Sequence, residues 1–145
     1  MKSHEFSQRK FQSLVLVFPR LTAQGLVLDS DSDLLKERAR FRQKVEYFQE
    51  SHKFIKWIRF HRLKPTHTLT ILQYKRFKPS YLRQKVETEL ETSVCEGAII
   101  LGAVFSGFRM IFDGTEEPGF NFSMRFDEIL QRHKILKLAR IHEQK

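Results

Sequence analysis

Apolar positions along the chain switch repeatedly between alternate-residue spacing and spacing of three to four residues. Leu14 to Phe18 is a short apolar run rich in β-formers, stopped by Pro19, and reads as a buried strand. Gly25 and the cluster Asp29-Ser30-Asp31-Ser32-Asp33 mark a turn, where Ser30 or Ser32 can cap a helix. That helix is predicted to run to about Gln49, with Leu34, Phe41, Val45 and Phe48 on one face. Phe54 to Leu63 alternates, with Phe54, Ile58 and Phe60 on one side and Trp57, Arg59 and His61 on the other, and reads as a strand. Lys64-Pro65 breaks it. Thr66 to Lys75, rich in Thr and branched residues, reads as the next strand.

Pro79-Ser80 opens a second helix carrying Leu82, Val86, Leu90 and Val94, closed near Gly97. Ala98 to Phe112 is strand-like, with Gly102 and Gly107 suggesting a bulge or a break into two strands. After the loop signals Asp113-Gly114 and Pro118-Gly119, Phe120 to Phe126 alternates cleanly. Phe120, Phe122, Met124 and Phe126 are expected inward, and Asn121, Ser123 and Arg125 outward. A last helix is predicted from near Asp127, carrying Ile129, Leu130, Leu136 and Ala139. The order β-α-β-β-α-β-β-α predicts an α+β domain with an open mixed or antiparallel sheet and helices packed mainly on one face. This is an RRM-like arrangement, in which the other sheet face is free to bind. Residues 1–11 are expected to form a flexible N-terminal segment, and 12–145 a single domain.

Charge sharpens the picture. The 36 residues from Ser51 to Val86 contain no Asp or Glu and hold ten Lys or Arg. The whole chain carries 26 basic and 17 acidic residues, so outside this stretch the balance is 16 against 17. The excess positive charge thus sits in one quarter of the sequence, which is the footprint of a polyanion-binding surface. Aromatics are threaded through it: Phe54, Trp57, Phe60, Tyr74, Phe77 and Tyr81. Rings beside cations can stack on unpaired bases. The competing reading of the same residues is a solvated basic face or a docking patch for an acidic protein.

Little in the chain points to catalysis or to a cofactor. Asp29-x-Asp31-x-Asp33 opens like a calcium loop, but Leu34 stands where that loop needs Gly and Arg40 where it needs Glu. The six His show no metal spacing such as HExxH, and there is neither a Gly-rich phosphate loop nor a GxSxG elbow. The lone Cys95 excludes an internal disulfide, reads as a small core residue and suits a reducing compartment. Ala98 to Phe105, the longest apolar run, is too short to span a bilayer. The first eleven residues include Glu5 and lack the long amphipathic pattern of a transit peptide.

Phe112-Asp113-Gly114, a short insertion, then Gly119-Phe120-Asn121-Phe122-Ser123-Met124 resembles a segment of the large-subunit ribosomal protein L five family. Lys64-Pro65, then Thr68 to Leu72 and Lys75-Arg76, is similar to that family's strand before its long helix, for which Phe77 to Val94 would stand. Leu14 to Phe18 and Leu34 to Gln49 resemble its first strand and helix, so the likeness covers roughly residues 12 to 130. It implies binding of 5S rRNA, or the equivalent central-protuberance rRNA, beside neighbouring ribosomal proteins and without catalysis. Three departures stand out. Phe18 replaces a usual Asn, Thr115 to Pro118 intervenes in the loop, and the segment that in the family reaches P-site tRNA is several residues short, which puts a tRNA contact in doubt. Such drift suits an organellar ribosome, in the mitochondrial matrix for example, with the cytoplasm as the other location.

The expected RNA-binding residues are Lys53, Lys56, Trp57, Arg59, Arg62, Lys64, Lys75, Arg76, Lys78, Asn121 and Arg125. The other functions these features allow are a small DNA-binding or replication-accessory protein and, after it, a metal-dependent nuclease.

Overall fold

The computed structural model describes residues 5–27, 33–67, 71–112, 114 and 117–132. In chain order the elements are α1 (Gln8–Val17), β1 (Leu21–Thr22), β2 (Gly25–Leu26), α2 (Leu34–Gln43), α3 (Val45–Phe60), α4 (Ile71–Arg76), α5 (Pro79–Leu90), α6 (Glu96–Phe105), β3 (Met110–Ile111) and β4 (Gly119–Phe120). A seventh helix, α7, occupies 126–132. Of the described residues 60% are helical and 9% extended, which overturns the expected α+β sheet domain. The strands form two antiparallel two-residue hairpins, pairing Leu21 with Leu26 and Met110 with Phe120. No RRM-like open sheet exists among the described residues, and with it goes the free sheet face.

The run expected as the long strand is the central helix. Seven consecutive residues of α6, Gly97 to Ala103, are buried, so it is covered all round. A run that is apolar at every position matches a buried strand and a buried helix equally, and periodicity cannot choose between them. Its glycines mark close approach, not a bulge. A Cβ on Gly102 would lie 2.7 Å from Cδ2 of Phe54 and 3.3 Å from the Ser51 carbonyl, both on α3. A Cβ on Gly97 would collide with the Thr22 carbonyl of the first hairpin. With the glycine in place, the Gly97 amide donates to the Ala23 carbonyl at 3.1 Å. The hydroxyl of Ser51, itself buried, donates to the Ala98 carbonyl at 2.8 Å and locks α3 to α6.

Phe54 to Phe60 is helical, not extended. On a 3.6-residue period Ser51, Phe54, Ile55 and Ile58 fall on the buried side of α3. The single helix expected to end near Gln49 is instead broken at Lys44, whose extended backbone (φ −73°, ψ 123°) separates α2 from α3. Asp33 stands at the N-cap of α2; the expected caps Ser30 and Ser32 lie outside the described residues. Leu14 to Val17 is the last turn of α1, a helix capped at its opposite, N-terminal end by the Ser7 hydroxyl, which accepts from the Lys10 amide at 3.2 Å. Phe11 and Val15 face the core, so packing overrides the β-propensity of that run. Phe18 before Pro19 leaves the helical region, as a residue preceding proline must. α2 is tied to this end by side-chain bonds: the Arg38 guanidinium donates to the Val15 and Phe18 carbonyls at 2.7 and 2.9 Å, and Arg42 Nε donates to the Gln12 carbonyl at 3.1 Å.

In the stretch expected as a Thr66 strand, Pro65 bridges Phe122, 68–70 lie outside the described residues, and Ile71 to Arg76 is α4. The helix expected at Pro79 is α5, with the proline in its first turn, but it stops at Leu90 where Glu91 turns left-handed (φ +53°). Phe120, Phe122 and Phe126 are fully buried as expected, whereas Met124 is exposed and Asn121 is buried. Extended backbone ends after Phe122, and the turn into α7 carries Phe126 inward, with its amide bonded to the Ser123 carbonyl at 2.9 Å. Phe122 stacks on Phe108 (centroids 3.8 Å apart) and touches Phe77 and Phe126.

Two predictions follow from this packing. Gly102→Ala, which raises helix propensity, should nevertheless destabilise the fold by about 1–3 kcal/mol, since the added methyl meets Phe54. Denaturant unfolding measures it, and a stabilised variant would refute the α3–α6 contact. Phe122→Ala should cost about 3–5 kcal/mol. Ser123→Ala, which loses only the bond its hydroxyl accepts from the Arg125 amide at 3.2 Å, should cost about 0.5–1 kcal/mol in the same assay.

Candidate nucleic-acid interface

Because the inner side of α3 is committed to α6, its outer side must face solvent. Lys53, Lys56 and Phe60 fall at i, i+3 and i+7 on that outer side, with Arg59 beside them, and all four are exposed. The helix then ends in a Schellman turn. The Leu63 amide donates to the Ile58 carbonyl at 3.0 Å, and the Arg62 amide to Arg59 at 3.1 Å. Arg62 occupies the left-handed position (φ +54°) that helices usually give to glycine. Lys64 follows, also exposed. Five cations thus share one helix side and the turn after it. Among the described residues, no carboxylate forms an ion pair with Lys53, Lys56, Arg59, Arg62 or Lys64.

His52, stacked on Phe48 at 5.8 Å, registers this field. Burial first, and then repulsion from Lys56 and Arg59, holds its imidazole below the ordinary histidine range. Beyond the stripe, a groove of about 440 Å³ opens where the turn faces the end of α6. Ile58, Leu63 and Phe105 give it an apolar lining, and Arg59, Arg62 and Lys64 stand around it.

The remaining expected site residues are placed differently. Trp57 is buried, and its indole N–H donates to the Glu89 carboxylate of α5 at 2.5 Å. The buried His61 ring shares that carboxylate at 2.7 Å, so Trp57 and His61 pin the end of α3 to α5. Lys75 is exposed at the end of α4 and Lys78 is the half-buried N-cap of α5. Arg76 is ion-paired with Asp127, which also accepts from the Tyr81 hydroxyl at 2.7 Å and lies 3.9 Å from Lys85. Burial, then this acid, pushes the Tyr81 phenol above its ordinary range. Arg125 reaches Glu128 at 3.4 Å. The structure therefore makes two basic regions of the expected list. The one on α3 is unopposed by acids; the one around α4 and α7 is partly neutralised.

Asn121 belongs to neither. Its side chain accepts from the Arg109 amide at 2.6 Å and donates to the Thr66 carbonyl at 2.7 Å, while its own carbonyl takes the Thr66 amide at 2.9 Å. It staples the strand-like segment after Lys64 to the second hairpin, and so positions the end of the basic turn. Conversely, Phe60, which the alternating reading put on one side with Phe54 and Ile58, is 68% exposed between cations. Phe54, Trp57, Tyr74 and Phe77 are all buried, whereas Phe60, whose ring meets His61 edge-on at 5.0 Å, keeps most of its surface exposed. Counting from Lys53 in helical steps would have found it; counting in strand steps hid it.

Burial pushes the Cys95 thiol up to about 12, so the sulfur stays protonated at neutral pH. Among the described residues, no three of His, Cys, Asp and Glu converge as a metal site, and no helix is long and apolar enough to cross a membrane. No protein-family model, curated protein or solved structure matches the chain.

Asn121→Ala should destabilise the protein by about 1–3 kcal/mol, because it leaves the Arg109 amide and the Thr66 carbonyl unpaired. Thermal unfolding would show the loss. An unchanged transition would mean that the staple holds nothing.

Proposed function

We propose that this protein is a non-catalytic RNA-binding protein that grips the phosphate backbone with the outer side of α3 and the turn after it. One observation carries the reading: Lys53, Lys56, Arg59, Arg62 and Lys64 are all exposed along one element and without ion-pair partners among the described residues. Unopposed cations at helical spacing release counterions when they meet phosphates, and an exposed ring among them suits unpaired bases. The helical fold is not the open sheet that the order of elements predicted, and Leu14 to Val17 is helical where the L five resemblance set a strand, so that resemblance contributes only the choice of RNA. It directs the proposal to large-subunit rRNA, with neighbouring ribosomal proteins as partners and an organellar ribosome as the first place to look. The small DNA-binding protein shares the charge argument, but an exposed ring on the cationic stripe favours a strand with unpaired bases over regular duplex DNA.

The test has two parts. The native protein should co-sediment with large ribosomal subunits through a high-salt wash; recovery only in the soluble pool or on DNA would defeat the ribosomal assignment. In purified form, five phosphate contacts should give a log K versus log salt slope of about −4, and Lys53→Ala with Lys56→Ala should reduce it by about two units. A variant that binds as the parent does would show the stripe to be a solvated face. Bound phosphates should also relieve the repulsion on His52 and raise its pKa, so RNA affinity should increase as pH falls through the histidine range. An NMR titration of His52 with and without RNA reads this directly.

A further inference from the structure

We infer that the groove beside the α3 turn receives a single unpaired nucleotide of the bound RNA, with Arg62 as its phosphate hook. This deepens the RNA-binding reading and rests on it. Three features of the groove point to such a ligand. Its volume of about 440 Å³ lies within the range of small-molecule sites, about 300–1,000 Å³. Its chemistry is divided in the way a nucleotide is divided. Ile58 and Leu63 are buried and, with Phe105, offer an apolar wall for a base. Arg59, Arg62 and Lys64 offer the charge for its phosphate, and no acid lines the space.

The third feature is Arg62 itself. A helix end with a Schellman turn favours glycine at this position, and an arginine there holds a left-handed backbone that its Cβ disfavours. Its guanidinium is exposed at the groove without an ion pair among the described residues. A residue that accepts a disfavoured backbone and presents a bidentate cation at a pocket is placed for a ligand.

The experiment compares binding of the full chain to an RNA hairpin with one bulged nucleotide and to the same hairpin without it. The parent should prefer the bulged RNA by about tenfold, the scale of one base–aromatic contact. Arg62→Gly should abolish that preference and bind both hairpins equally, each more weakly than the parent by one phosphate contact, with a melting temperature no lower than the parent's. Arg62→Lys, which keeps the charge but not the bidentate fork, should recover the general affinity and only part of the preference. Equal binding of both hairpins by the parent, or a preference surviving in Arg62→Gly, would overturn the nucleotide site and leave the α3 interface standing. Failure of the parent to bind either RNA would overturn the interface and the site together.

Discussion

The approach of α3 to α6 at Gly102 is the constraint on which the rest of the molecule depends. Ser51 and Phe54 sit where a side chain on residue 102 would be, and the Ser51 hydroxyl closes onto the Ala98 carbonyl across the same contact. Once α3 lies flat on α6, Phe54, Ile55 and Ile58 are buried with it. Dispersion and hydrophobic burial fix the rotation of the helix about its own axis. Lys53, Lys56 and Phe60 are then turned outward by geometry alone. The basic side is thus the complement of a packed one, and its position is as well determined as the core.

The two pins at the far end serve the same purpose. Glu89 holds both Trp57 and His61 from α5, so the last turn of α3 is anchored just before the chain reverses. Asn121 anchors the chain again just after it, through Thr66. Between these fixed points lie Arg62 and Lys64. Side chains that hold charge toward a polyanion profit from a backbone that does not move, because less freedom is lost on binding. Two residues that sequence reading assigned to the RNA, Trp57 and Asn121, act on this frame.

How much of this was legible in the sequence differs from element to element. Pro79 announced the start of α5, and Phe120, Phe122 and Phe126 announced themselves as core, because proline geometry and repeated large apolar side chains carry the same meaning in any fold. The concentration of charge between Ser51 and Val86 was also visible, since it is a property of composition. The fold class was not legible. Between Phe54 and Phe60 the apolar and basic residues satisfy a period of two nearly as well as one of 3.6, and in α6 no polar residue marks a face. Tertiary packing decided both. The charge survived the misreading because either secondary structure exposes long cations; the exposed ring did not, because Phe60 changes sides when the period changes.

The central claim is that RNA lies along α3 and not along the other basic surfaces, such as that of α2 and the break after it, where Lys36 and Lys44 are also exposed. Amine acetylation of the folded protein with and without bound RNA, read residue by residue by mass spectrometry, tests it most directly. The account predicts that RNA shields Lys53, Lys56 and Lys64 while Lys36 and Lys44 react as in the free protein. Shielding of Lys36 and Lys44 with Lys53 and Lys56 left reactive would contradict it.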